Sequence, residues 1–149
     1  MLVERKQDLS VYFWLRNTFS SIPFINIVDG FPENNLVIPT IALDEDIASS
    51  RIYEMGNRER IKIRYYYFEV FAANKVQRNE IGYMILNALE EKIPVYDYDE
   101  GISFDTTPSQ IGVLDPEEIV LKPVKVIPEL TENLYYRLTV SFVAEYQQI

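Results

Sequence analysis

At 149 residues and 17.5 kDa the chain fits one domain, long enough to bury a sizeable core without staples. It has no cysteine and no histidine, which excludes disulfides, thiolate metal sites, cysteine nucleophiles and imidazole acid–base chemistry. A net charge of -9 gives no basic footprint for nucleic acid or an anionic membrane, while 48% apolar and 13% aromatic content is too rich for disorder.

The first expected element is a helix over Gln7–Ser20, because Val11, Leu15 and Phe19 recur every four residues. Apolar side chains nearly encircle Val11–Leu15, so more than one face of this helix needs cover. Ile22-Pro23 ends it. Two short strands follow, Phe24–Asp29 up to the Asp29-Gly30 turn and Leu36–Leu43, where Pro39 marks an edge or a bulge. Asp44–Arg58 reads as a long charged connection without a clear period.

Arg60–Ala73 reads as the central strand. Ile61, Ile63, Tyr65 and Tyr67 share one face, but the apolar set then shifts to Phe68 and Val70. Such a shift calls for a bulge or for a strand covered on both sides. Asn74 with Gln77 three residues on is a capping-box arrangement. It opens a helix to about Lys92 with the stripe Ile81, Met84, Ile85, Ala88 and Leu89, and Gly82 inside it points to close packing.

Val95–Tyr98 is a short strand, and Asp99–Pro116 a second long connection rich in Gly, Ser, Thr, Asp and Pro. Glu118–Ile127 is a strand interrupted by Pro123. The last strand is the clearest, with Leu134, Tyr136, Leu138, Val140, Phe142, Ala144 and Tyr146 on one face. Pro128–Asn133 supplies the turn that makes these two strands an antiparallel hairpin. The expected fold class is therefore α+β: a mixed, mainly antiparallel sheet, two helices packed on one face, and two long loops. The Arg60–Tyr98 strand–helix–strand unit admits a right-handed parallel crossover.

Candidate chemistry is sparse. The carboxylates cluster as Asp44, Glu45, Asp46 and as Asp97, Asp99, Glu100. The second group has the alternating oxygens of a calcium loop before Gly101 but lacks the closing glutamate, so no metal is assigned. No glycine loop cradles phosphate, and no cofactor is expected. Tyr65–Phe68 and Tyr135-Tyr136 have the composition of base-stacking platforms, but the acidic balance favours sheet core and subunit contacts. No segment reaches the ~18 uninterrupted apolar residues of a membrane span, and no signal peptide is read at the start, so synthesis in a cytoplasm is expected.

The segment Tyr53-Glu-Met-Gly-Asn-Arg-Glu-Arg60 leads into the central strand. The capped helix, the short strand Ile93–Asp99 and a terminal strand pair follow. From Leu36 to Gln147 this order resembles the tail terminator (tail completion, or tail-to-head joining) proteins of tailed bacteriophages, in which a Glu-Leu-Gly element similar to Tyr-Glu-Met-Gly precedes the central strand. The resemblance implies a non-enzymatic virion protein. It would form a ring, commonly of six copies, that caps the tail tube, docks to a neck or head-completion protein and lets DNA pass without sequence-specific binding.

On this reading Asp44, Glu45, Asp46, Asp97, Asp99, Glu100 and Asp105 are candidate lumen or rim acids, where an acidic wall repels phosphate. Candidate subunit contacts are Trp14, Tyr53, Met55, Arg58, Arg60, Ile102 and Phe104. A neck or head-closure connector of the same virion, a monomeric binding module and a small carboxylate enzyme are the alternatives.

Overall fold

Strict alternation along the C-terminal segment organises the molecule. Leu138, Val140, Phe142 and Ala144 are buried, and the residues between them are half-buried. A computed structural model describes residues 1–30, 37–52, 60–99, 108–124 and 136–149 of the chain, with the side chains of 46–52 and 60–61 outside that description. The elements are α1 (Val3–Thr18), β1 (Asn26–Asp29), β2 (Thr40–Ile52), β3 (Arg60–Ala72), α2 (Lys75–Ala88), β4 (Ile93–Tyr96), β5 (Gln110–Val124) and β6 (Tyr136–Gln148). The six strands form one sheet in the order β1-β2-β3-β6-β5-β4. Pairing is antiparallel throughout except between β1 and β2, which run parallel with Asn26 opposite Thr40. The fold is the expected α+β class.

Both helices pack on one face of this sheet. Along β3 that face carries Arg64, Tyr66, Phe68 and Val70, opposite Ala144, Phe142, Val140 and Leu138 of β6. Helix α1 lies over Tyr66, Phe68 and Phe142, with Trp14 stacked on Phe68 at 6.3 Å between ring centroids. Helix α2 lies over Leu138 and Val70, where Ile81, Ile85 and Leu89 join the same hydrophobic cluster as Val11, Leu15 and Phe19. Helix α1 touches β4 and β1, the two edges of the sheet, so the sheet curls around it.

Local chemistry explains the elements. Asn74 Oδ1 accepts from Gln77 N at 2.8 Å, and Gln77 Oε1 accepts from Ala73 N, one residue before the N-cap, at 2.8 Å, so both side chains fasten the helix start. At Gly82 an added Cβ would lie 2.3 Å from Leu138 Cδ2 and 3.3 Å from Leu121 Cδ2. Here glycine is what lets α2 sit down on the sheet. At an exposed helical site Gly→Ala stabilises by about 1 kcal/mol. Gly82→Ala is expected to do the reverse and destabilise by about 1–3 kcal/mol in urea unfolding, because the buried Leu138 side chain would have to shift away from the added methyl.

Several boundaries differ from expectation. The Asp44–Arg58 connection is strand as far as Ile52, and the Asp99–Pro116 connection is strand from Gln110. In both cases a neighbour supplies the order: β3 pairs with β2 along its whole length, and β5 is held between β4 and β6. Thus the two long loops are shorter than the sequence implied. Helix α1 begins at Val3 because its first turn is tied to Asp97 and Asp99. Helix α2 stops at Ala88, capped by Leu89.

The strand–helix–strand unit is not a parallel crossover. Strands β3 and β4 are separated by β6 and β5, and each pairing along that path is antiparallel, so β4 runs opposite to β3. The shift of apolar face within β3 comes from cover on both sides, since Phe68, Glu69, Val70, Phe71 and Ala72 are all buried. The bulge lies instead in its partner β2, between Glu45 and Ala48. Tyr136 is exposed rather than core. The expected turn Pro128–Asn133, with Leu134 and Tyr135, lies outside the described residues.

Candidate assembly surface and the carboxylate clusters

Successive strand residues point to opposite faces, and this divides the first acid cluster. Asp44 lies opposite Tyr67 on the outer face of the sheet and accepts the Tyr67 hydroxyl at 3.1 Å. Glu45 lies opposite Tyr66 on the inner face, towards α1. Burial pushes the Glu45 carboxyl up to about 7, helped by the negative charges of Asp8, Asp29 and Asp44 around it. Asp46 is in β2, but its side chain lies outside the described residues.

A charge on Glu45 is therefore unfavourable in the folded protein. Between pH 4.5 and about 7 the folded state holds more protons than the unfolded chain, so stability falls as pH rises through that window. Glu45→Gln removes the charge. It is expected to leave stability unchanged near pH 4 and to raise it at pH 8, by about 1 kcal/mol after allowance for solvent screening. Unfolding curves at the two pH values check this.

Beside Glu45 sits a compensated ion pair. Arg64 is 7% exposed and points from β3 to α1. Its guanidinium donates to Asp8 Oδ1 at 2.8 Å, Gln7 Oε1 at 2.7 Å and the Glu4 carbonyl at 3.2 Å. Asp8 also accepts the Tyr66 hydroxyl at 2.9 Å. Burial raises the Asp8 carboxyl even though Arg64 and Tyr66 pull it down.

The second cluster is tied to the start of the chain. Lys6 Nζ lies 2.9 Å from both Asp97 Oδ1 and Asp99 Oδ2, and the Met1 amino group lies 2.9 Å from Asp99 Oδ1. The hydrogen bonds from Lys6 and the terminal amine hold the Asp99 carboxyl down at about 2, and those from Asp99 and Asp97 raise the Lys6 ammonium. These acids dock a helix. Nothing in the sequence linked Lys6 to them, since 93 residues separate Lys6 from Asp99. Glu100 and Asp105 lie outside the described residues. Among the described residues no group of three or more Asp or Glu is placed to hold a metal, and no helix is long and apolar enough to cross a membrane.

Of the candidate subunit contacts, Tyr53, Met55, Arg58, Ile102 and Phe104 lie outside the described residues, and Arg60 is described only as the first backbone position of β3. Trp14 is half-buried against Phe68. A different surface stands out, one that sequence reasoning missed. Phe24 is 65% exposed, Val37 56%, Val76 67% and Ile38 39%. Phe24 and Val76 line one groove where β1 meets the start of α2. The patch adjoins β1, whose outer side has no neighbouring strand among the described residues.

The other sheet edges are defended. Tyr96 N–H of β4 donates to Ser10 Oγ of α1 at 3.1 Å. Beyond Leu114, where pairing with β4 ends, β5 carries Pro116, Pro123, Lys122 and a bulge with Glu118 at φ 49°. Prolines, lysines and bulges are how an edge avoids pairing with another chain. Strand β1 has no proline, lysine or bulge, and only its four-residue length and the terminal Asp29 limit pairing there. The signal was present in the sequence as Pro-Phe-Ile-Asn-Ile-Val, but only the sheet order shows that this strand is an edge. No protein-family model matches the chain, and no curated protein matches it.

Proposed function

We propose that the chain is a structural subunit of a bacteriophage tail or neck, a tail terminator that forms a ring over the tail tube and joins it to the head. The edge of β1, which has no neighbouring strand among the described residues, together with exposed Phe24, Val37, Ile38 and Val76, carries this reading, because an open strand near exposed apolar side chains is a surface for another protein chain. The likeness to tail terminator proteins supports it too. Strand β3, the capped helix α2, β4 and the β5–β6 pair follow in the order on which that likeness rests. In the ring, the partners are further copies of the chain, the tail tube protein and a neck protein. DNA passes a wall of net negative charge, which repels phosphate over the ~8 Å Debye length of physiological salt.

Mass measurement by light scattering across rising concentration, followed by negative-stain imaging, tests the reading. The expected particle is a ring whose mass is a small multiple of the 17.5 kDa protomer, six copies by the resemblance. Phe24→Asp with Val76→Asp should dissolve the ring and leave unfolding unchanged, since exposed substitutions usually alter stability by less than about 0.5 kcal/mol. A species that stays monomeric at high concentration and when mixed with tail tubes would overturn it.

A further inference from the structure

The parallel pairing of β1 with β2 fixes which backbone groups face away from the sheet. Asn26 N–H donates to the Pro39 carbonyl at 3.0 Å, and Gly30 N–H donates to the Leu43 carbonyl at 2.7 Å. Backbone direction alternates along a strand, so the N–H and C=O of Ile27 and Asp29 point outward, where no strand lies among the described residues. Their side chains are in register with buried Ile41 and Leu43, which places both on the α1 side of the sheet. The same edge borders a cavity of about 530 Å³ between the end of α1 and β1, with Tyr12, Arg16, Asn26 and Ile27 in its lining.

Two exposed charges bracket this edge. Among the described residues, Arg16 is the one charged side chain in the cavity lining. Its guanidinium lies 5.8 Å from the Tyr12 ring centroid and makes no ion pair. Asp29 ends β1, and its carboxylate makes no ion pair either. Instead it adds to the negative field around Glu45. Within one copy Arg16 and Asp29 do not meet. The edge thus offers free donors and acceptors at every second residue, a cation by its start and an anion at its end. A strand complementary to it runs antiparallel, with an acid arriving at the start and a cation at the end. Strand β1 of a second copy is such a strand.

We infer that two copies of the chain pair through β1, antiparallel about a two-fold axis at Val28. Ile27 then lies opposite Asp29 of the partner subunit, and Asp29 opposite the partner's Ile27. Outward-facing residues meet as hydrogen-bonded pairs, each exchanging both N–H···O bonds. Cross-strand neighbours share a face, so the carboxylate of the partner's Asp29 arrives beside Ile27, at the cavity that holds Arg16. The two-fold axis repeats this ion pair on the other side. An inward acid on an edge strand deters unrelated strands, and here it selects the copy that carries Arg16. The inference goes beyond the ring reading. A two-fold pair closes on itself, so it is the form in which the free chain covers its open edge, and head-to-tail ring contacts at β1 require the pair to part.

Sedimentation of the full chain at low salt is expected to show a species of twice the 17.5 kDa protomer mass, half-dissociated at about 10–100 µM, as suits a small interface. Raising the salt from about 0.05 M to about 0.5 M should weaken it severalfold. Amide exchange at Ile27 and Asp29 should slow in the dimer. Arg16→Glu and Asp29→Arg each bring like charges together and should weaken pairing about tenfold. Mixing the two variants should restore a dimer, because each then carries the charge the other needs. Both positions are exposed, and should Asp29→Arg not fold, Arg16→Glu and the salt series still decide. A chain that keeps the protomer mass at about 1 mM, a dimer indifferent to Arg16→Glu, or folded variants that stay monomeric when mixed would each overturn the inference. A ring unaffected by Arg16→Glu, with no dimer preceding it, overturns the inference and leaves the ring reading standing. A charge-switched dimer that never assembles on tail tubes supports the inference and overturns the ring reading.

Discussion

Replacing Asp8 with alanine is expected to destabilise the protein by about 3–5 kcal/mol, read as a shift of the urea midpoint at unchanged slope. The cause is the buried arginine left behind rather than the missing carboxylate itself. Arg64 sits 7% exposed between β3 and α1, and without Asp8 its charge has only the Gln7 amide and the Glu4 carbonyl as acceptors. The guanidinium Nε already has no partner, so the site has no slack. The Tyr66 hydroxyl, buried alongside, loses its acceptor as well. Removing both charges together, as Asp8→Leu with Arg64→Met, should come much closer to neutral, because apolar side chains of similar volume avoid the desolvation of two ions. A double variant as unstable as Asp8→Ala would mean that the pair does more than compensate itself.

Leu138→Ala is expected to cost about 2–5 kcal/mol. Leu138 is 3% exposed and lies under α2, closest to the helix at Gly82. The helix packs closely there, so truncation leaves a cavity that α2 can fill by sinking towards β6. If it sinks, the loss falls at the low end and Gly82→Ala becomes tolerated in the Leu138→Ala background. A double-mutant cycle reads this as a coupling energy between the two positions. A loss below about 1 kcal/mol would show that the packing of α2 on β6 is not the core of the fold.

These two sites mark what the sequence could and could not disclose. The Leu138 face was legible because alternation every second residue and the helical stripe Ile81, Ile85, Leu89 both point to one core. The Asn74–Gln77 cap was legible because it is set by residues close in sequence, and Gly82 because a glycine inside a helix is costly unless something packs there, although its neighbours Leu138 and Leu121 are distant in sequence. Arg64 was not. In a run of alternating side chains it reads as the solvent face of β3, yet it is an inward arginine neutralised by Asp8, 56 residues away.

The acid clusters misled in the same manner. Asp44 and Glu45 are adjacent in the chain but separated by the sheet, and Asp97 and Asp99 look like loop solvation but pin α1. The second half of β2 carries Asp44-Glu-Asp46 and Ser49-Ser50, poor strand formers, and is extended because β3 templates it. Charge composition described the surface well but could not assign any one carboxylate to it.

The tie between Lys6 and Asp97 and Asp99 also sets an order of events during synthesis. Helix α1 leaves the ribosome ahead of every strand, yet a 16-residue helix is marginal alone in water. Its inner stripe waits for β3, and its first turn waits for residues that follow about 90 positions later, roughly 5–20 s at ordinary elongation rates. Until the sheet is complete Val11, Leu15 and Phe19 are only partly covered. The N-terminal helix is thus expected to be the last major element to dock. A nascent chain halted before residue 90 should display its apolar stripe to chaperones, and one that has completed β5 and β6, through which β4 joins the sheet, should not.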